Sequence, residues 1–286
     1  MLYRAQHTTL YRYEAPVSQC LSEVRLTPRA LPWQTLLERT ILTTPEPASV
    51  DERKDYYGNV VSLLSILERH DRFTTVATSV VRVEARPSPV ESSLAWEEVR
   101  DEIASQRTPD AVDVIEFVFD SPFVTTDPEL AAFARPSFEP GRPLFAAVSD
   151  LSHRIHEQFT YRPTVTTIDT PVLESLRTKK GVCQDFAHVM IAALRSLGLP
   201  ARYVSGYLRS GADYQGAEAS HAWVSVFLPE RGWIDFDPTN DVIPGTGHIT
   251  LAWGRDYGDV APVKGVALGG GRQAVEVQVR VEAIDG

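Results

Sequence analysis

The segment Gly181-Val182-Cys183-Gln184-Asp185-Phe186-Ala187-His188, running on through Val189 to Leu208, reads as a turn, a cysteine, a helix and a strand. Gly181 follows Lys179 and Lys180 and is free to take backbone angles closed to other residues. From Cys183 the apolar residues Phe186, Val189, Met190, Ala193, Leu194 and Leu197 recur at three- and four-residue steps, which marks one face of a helix. Gly198-Leu199-Pro200 ends it, with glycine at the C-terminus and proline just beyond. Ala201 to Leu208 is rich in strand-forming residues.

This pattern puts Cys183 at a helix N-terminus, where unpaired N–H groups and the helix dipole favour an anion. A thiolate is such an anion, and the thiolate is the nucleophilic form of cysteine. Position alone leaves the alternative of a packed structural cysteine open. The rest of the chain has to decide.

Composition narrows the function classes. The 286 residues have room for one large or two modest domains. A hydrophobic content of 43% with 23% charged residues is that of a globular protein. The net charge of −10 argues against non-specific nucleic-acid binding and against an anionic membrane surface. No segment approaches the ~20 apolar residues of a membrane-spanning helix, and Met1 to His7 lacks the apolar core of a signal peptide. The only cysteines, Cys20 and Cys183, are far apart in sequence, so a reducing cytoplasm is the expected compartment and Cys20 the packed one.

Residues 1–86 read as a β-rich, sandwich-like unit. Thr8 to Tyr13, Ser22 to Leu26, Thr40 to Thr44 and Thr75 to Glu84 are β-forming runs, and Gly58-Asn59 marks a hairpin turn. His7 and His70 stand alone there and read as structural. Residues 87–143 are a helical connector after the linker Arg86-Pro87-Ser88-Pro89. Helices are expected over Trp96–Ser105 and Asp110–Phe119, and Asp127-Pro128 gives a capped helix start. Residues 144–286 read as an α+β core with a C-terminal strand. His153 and His156 are spaced like metal ligands, but no further ligand lies nearby in sequence, so they read as surface imidazoles and no metal is assigned.

Two strands beyond the cysteine helix carry the remaining chemistry. Ser220 to Leu228 and Gly232 to Asn240 are joined across Pro229-Glu230-Arg231. If Ala222, Val224, Val226 and Leu228 share one core with Ile234 and Phe236, then His221, Trp223, Asp235 and Asp237 fall on the opposite side. A turn centred on Glu230 sets Trp223 opposite Asp237, with His221 on the diagonal. An imidazole and a carboxylate are what a cysteine nucleophile needs, one to take the thiol proton and one to orient the ring. Spacing alone does not choose Asp237 over Asp235.

The blocks Gly181 to His188, Ser220-His221-Ala222-Trp223-Val224 and Trp233-Ile234-Asp235-Phe236-Asp237-Pro238-Thr239-Asn240 resemble the three catalytic blocks of the transglutaminase-like superfamily, in the order of its bacterial branch. Tyr11-Arg12-Tyr13, Arg25 to Arg29, Asp55 to Asn59 and the tail Gly254 to Val263 resemble the rest of that branch. The resemblance implies a papain-like core with Cys183, His221 and Asp237 as a triad, and it selects Asp237 because that residue precedes Pro-Thr. It implies acyl transfer from amide or peptide bonds through a thioester, with hydrolysis slightly favoured over protein cross-linking. A non-catalytic peptide-binding module is the remaining alternative. The substrates expected are peptide or protein amides, and the sequence leaves the oligomeric state open.

The other candidates are weaker. His188 is nearest to Cys183 in sequence, but five helical residues turn it about 140° away. Asp185 reads as a helix-start residue. Asp235 to Asp241 lacks the glycine and glutamate of a calcium loop, so no cofactor is assigned. Cys183 N–H and Tyr161 are the candidate oxyanion donors, and Gln184 and Trp223 are candidates for the cleft, with Trp223 reading as packing or a cleft wall. Gly254 to Gly265 and Gly269-Gly270-Gly271 read as either a loop over the cleft or a connector.

Overall fold

A computed structural model describes residues 1–86, 94–105, 109–211 and 214–284, with only the backbone described at 109–111. The chain runs β1 (Leu2–Val24), β2 (Gln34–Thr44), β3 (Ser49–Lys54), β4 (Val60–Ile66) and β5 (His70–Val83). The helices α1 (Trp96–Ser105), α2 (Pro109–Ile115) and α3 (Pro128–Ala134) follow. Next come α4 (Leu144–Gln158), β6 (Thr160–Tyr161), α5 (Val172–Thr178), β7 (Lys180–Gly181) and α6 (Cys183–Arg195). The chain closes with β8 (Ala201–Leu208), β9 (His221–Leu228), β10 (Gly232–Phe236), β11 (His248–Gly254), α7 (Tyr257–Val260), β12 (Val263–Gly269) and β13 (Gln273–Ala283). Beyond Arg86, the linker expected at Arg86 to Pro89 lies outside the described residues.

The first sheet has the order β2-β5-β1-β4-β3, and β12 and β13 also pair with β1. One long strand makes this possible. The front of β1 lies between β5 and β13, and its rear lies between β4 and β12. A register shift between Arg12 and Val17 lets the strand turn from one layer into the other. Tyr3, Ala5, His7 and Thr9 alternate inward and are buried, with Tyr3 opposite Val81 and His7 opposite Ala77 of β5. The tail strand, placed with the core on sequence grounds, is in this sheet. Alternation shows that one face of a strand is buried but not which sheet the strand joins.

The second sheet has the order β10-β9-β8-β11. Helix α6 packs against it, with α3, α4 and α5 over the helix's other side. This corrects the one-face reading of α6. All of its residues except Gln184 are buried, because the sheet and the helical layer cover it from both sides. Gly198, at φ +79°, ends the helix as expected, and Leu199 N–H returns to Leu194 O at 3.1 Å.

β11 is an edge strand of the second sheet, and residues of the first unit cover its open side. The Gln34 amide donates to Thr250 O and accepts from Thr250 N–H, both at 2.8 Å. The Asn59 amide does the same with Trp253 O and N–H, at 2.9 and 3.0 Å. Side-chain amides thus continue the backbone ladder and cap an edge that would otherwise be open to pairing. Arg29 and Arg202 both stack on Trp253, at 3.5 and 3.9 Å from the ring centre, which ties the two units further.

Candidate active site

Cys183 is the first residue of α6, and the turn before it is set by Asp185. The Asp185 carboxylate accepts Val182 N–H at 2.8 Å, Thr166 Oγ–H at 2.7 Å and Ser175 Oγ–H at 3.1 Å. Gly181 is required there because a Cβ would overlap that carboxylate. Asp185 therefore organises the approach to the cysteine and, through Thr166, the loop of residues 162–171. The Cys183 side of the site is largely covered, with the residue 8% exposed. Its Sγ lies 4.0 Å from Ser220 O.

β9 and β10 deliver the imidazole and the carboxylate. Their register pairs Leu228 with Gly232 and Val224 with Phe236, so the turn is centred on Glu230 as the pattern predicts. The ladder ends at Phe236, and Asp237 follows on the same side as His221. His221 Nε2 meets Asp237 Oδ2 at 2.8 Å, with the residues 1% and 0% exposed. The other ring nitrogen, Nδ1, makes no hydrogen bond among the described residues and is left for the thiol side. Burial opposes a proton on His221, but the Asp237 carboxylate and the Cys183 sulfur overcome it and raise its pKa to about 10. Asp237 would itself be raised by burial, yet His221 and His248 hold it far below the usual carboxylate range.

Asp237 is held on all sides. Thr239 N–H and Asn240 N–H reach Oδ1 at 3.0 and 3.2 Å, and Asn240 Nδ2 reaches Oδ2 at 2.9 Å. His248 Nε2 lies 3.2 Å from the same Oδ2. Asn240 also grips the loop over the site, since its Oδ1 accepts Gln215 N–H at 2.7 Å. Asn240 and His248 escaped the sequence reading. Asn240 closes a block whose pattern singles out Asp237, and a histidine at a strand start carries no signal of its own.

The other candidates are placed as follows. Tyr161 pairs with Gly181 across β6 and β7, and burial, then Cys183 and Asp185, raise its pKa. A Cβ on Gly216 would lie 3.1 Å from the Tyr161 hydroxyl and 3.3 Å from His221 Nδ1, so this glycine lets the loop sit close over both. Gln184 is partly exposed and gives its amide to Ile168 O at 3.3 Å. Trp223 is a correction to the cleft reading. It is fully buried, stacks 6.2 Å from His221 and meets His248 edge-on at 5.3 Å, so it backs the histidines from inside the core. A Cβ at Gly206 would overlap its ring.

Asp235 is not part of the His221–Asp237 cluster and pairs with Arg86 at 2.6 Å. His188 accepts Tyr257 N–H at 3.2 Å and stacks 6.1 Å from Phe123, and burial lowers its pKa to about 3. It anchors α7. His153 and His156 hold the loop after Asp237, bonding Asp241 Oδ2 at 2.7 Å and Thr239 O at 2.9 Å. No cluster of metal-ligand type occurs among the described residues. The tail segment from Gly254 forms the end of β11, then α7 and β12, and Gly269 to Gly271 turn into β13 with positive φ.

Residues 131–238 match the model of the transglutaminase-like superfamily, and residues 3–82 match that of the bacterial transglutaminase-like N-terminal region. An uncharacterized protein of Mycobacterium tuberculosis is 38% identical over 299 aligned residues, covering 99% of this chain and 93% of its own. A protein-glutamine gamma-glutamyltransferase of Pseudomonas aeruginosa is 37% identical over 108 residues, 35% of this chain and 16% of that protein. The crystal structure of a candidate cysteine protease from Cytophaga hutchinsonii superposes with a TM-score of 0.78 at 22% identity, over 100% of this chain and 91% of that one. The sheet order, the cysteine-bearing helix start and these matches together establish that the chain belongs to the transglutaminase-like superfamily, in the branch that carries the bacterial N-terminal region.

Proposed function

We propose that the protein is a cysteine-dependent acyl-transfer enzyme acting on amide or peptide bonds. The observation that carries this reading is the buried His221–Asp237 pair, 2.8 Å apart, set beside a cysteine at a helix start. His221 takes the Cys183 proton, and the thiolate attacks the carbonyl carbon. The C–N bond breaks, the imidazolium gives its proton to the leaving amine, and a thioester remains. Water, activated by the same imidazole, releases the acid and restores the thiol. Cys183 N–H and the Tyr161 hydroxyl are proposed to steady the oxyanion.

We favour hydrolysis, with peptide or protein amides as substrates. Transfer to an amine, which cross-links proteins, is the second reading. It is favoured by the likeness of the core to the Pseudomonas gamma-glutamyltransferase. Among the described residues no helix is long and apolar enough to cross a membrane. The free cysteines support a reducing compartment.

The test is thioester trapping with an electrophilic peptide amide, followed by mass spectrometry. Wild type is expected to label at Cys183, and Cys183→Ala to lose the label while keeping its circular dichroism. Equal labelling of the variant would refute the assignment. Adding a primary amine to the wild-type reaction separates hydrolysis from transfer.

A further inference from the structure

His248 lies on β11, two strands away from β9, yet its ring reaches the triad. Its Nε2 stands 3.2 Å from Asp237 Oδ2, the oxygen that His221 Nε2 also meets at 2.8 Å. The two rings are 6.5 Å apart and inclined at 62°, so they converge on one oxygen from different directions. Trp223 packs edge-on against His248 at 5.3 Å, and Tyr214 does so at 5.4 Å. The ring is 1% exposed, and its Nδ1 has no hydrogen-bond partner among the described residues.

That unpaired nitrogen is informative. A buried acceptor left without a donor loses its hydration with nothing in return. A site needing only volume would hold an apolar ring without that cost. With Nε2 against a carboxylate, the proton of the neutral ring belongs on Nε2, and Nδ1 is left bare. Burial keeps the ring neutral, because it lowers the affinity of His248 for a second proton.

We infer that His248 is a positioning residue for the triad: its Nε2–H occupies part of Asp237 Oδ2, which fixes the carboxylate and tempers its grip on His221. The inference rests on the reading of Cys183 as the nucleophile. Its physical basis is competition. A carboxylate oxygen that already accepts one N–H has less charge density to offer a second donor. An imidazolium held too tightly is a poor acid toward a leaving amine, so the extra donor keeps His221 able to release its proton.

The charged and titratable groups around this pair come from separate elements. Asp237 follows β10, Cys183 opens α6, Arg86 follows β5, and Tyr214 lies in the loop before β9. Tyr161 approaches from β6 across Gly216. The His248→Phe substitution leaves all of these in place and removes one N–H.

The experiment is iodoacetamide alkylation of Cys183 across pH, read peptide by peptide so that Cys20 does not interfere. The alkaline step of the profile marks loss of the proton from His221. In His248→Phe that step is expected to rise by about half a pH unit or more. His248→Gln, whose amide keeps a donor, is expected to bring it back toward wild type. An unchanged step in a folded His248→Phe overturns the inference. So does a lowered one, which is what simple anchoring predicts, since a freely turning carboxylate supports His221 less. If the Phe variant does not fold, the wild-type protein still decides, because nitrogen-resolved NMR must find the His248 proton on Nε2. Finding it on Nδ1 overturns the inference. A wild-type Cys183 that reacts no faster than a free thiol refutes the proposed function instead.

Discussion

At the scale of single residues, the proposed triad couples reactivity to stability. His221 holds its proton more tightly in the fold than in the unfolded chain, with its pKa raised from 6.5 to about 10. A raised imidazole contributes stability that is complete below the unfolded pKa and is lost as pH climbs through the folded one. Asp237→Asn removes the charge that holds this proton. The gap in urea midpoint between wild type and Asp237→Asn is therefore expected to be at its full width below pH 6.5 and to close as pH rises from there toward 10. Urea titrations at several pH values measure it, and a gap that widens with pH would contradict the ionic character of the pair. These roles were only partly legible in the sequence. Cys183, His221 and Asp237 each belong to a local pattern that has a chemical reading. His248 contributes through a contact with a strand that is not its hairpin partner, and no local pattern encodes such a contact.

At the scale of elements, the buried histidines of α6 and β1 set the response to acid. Burial lowers His188 to about 3 and His7 to about 4, so both stay neutral in the fold where an unfolded histidine is charged. Below pH 6.5 the unfolded state therefore binds more protons, and stability falls as pH drops, by about 1.4 kcal/mol per unit for each such ring. His188→Phe keeps the stacking on Phe123 and is expected to flatten the decline between pH 6.5 and 5. Chemical denaturation at those two values checks it, and an unchanged slope would remove His188 from the account. Element types and the β9–β10 register were readable because period and turn length fix them. The burial of α6 on both sides was not, since the polar residues His188 and Arg195 break the apolar pattern. Arg195 is satisfied inside the core by Ala201 O at 2.9 Å and Ser121 Oγ at 3.2 Å, contacts no periodicity announces.

At the scale of the whole molecule, the first sheet supports the loop over the site. Val279 N–H of β13 donates to Glu218 O at 2.9 Å, and Ser210 N–H donates to Val281 O at 3.0 Å. These groups point away from β1, so Val279→Pro breaks the link to the loop without removing a β1–β13 hydrogen bond. Its expected effect is a loss of turnover of about tenfold or more, from a displaced Gln215-Gly216 segment, with only a small fall in melting temperature. Parallel kinetics and calorimetry test this, and full turnover in the variant would show that the two units act independently. The same topology has a consequence for synthesis. Tyr3 pairs with Ala283 and Val17 with Gly269, so β1 finds these neighbours only after residues 263–283 have been synthesised. Until then its flank is bare backbone, and a nascent chain stalled before β12 presents a sticky ribbon that chaperones must shield.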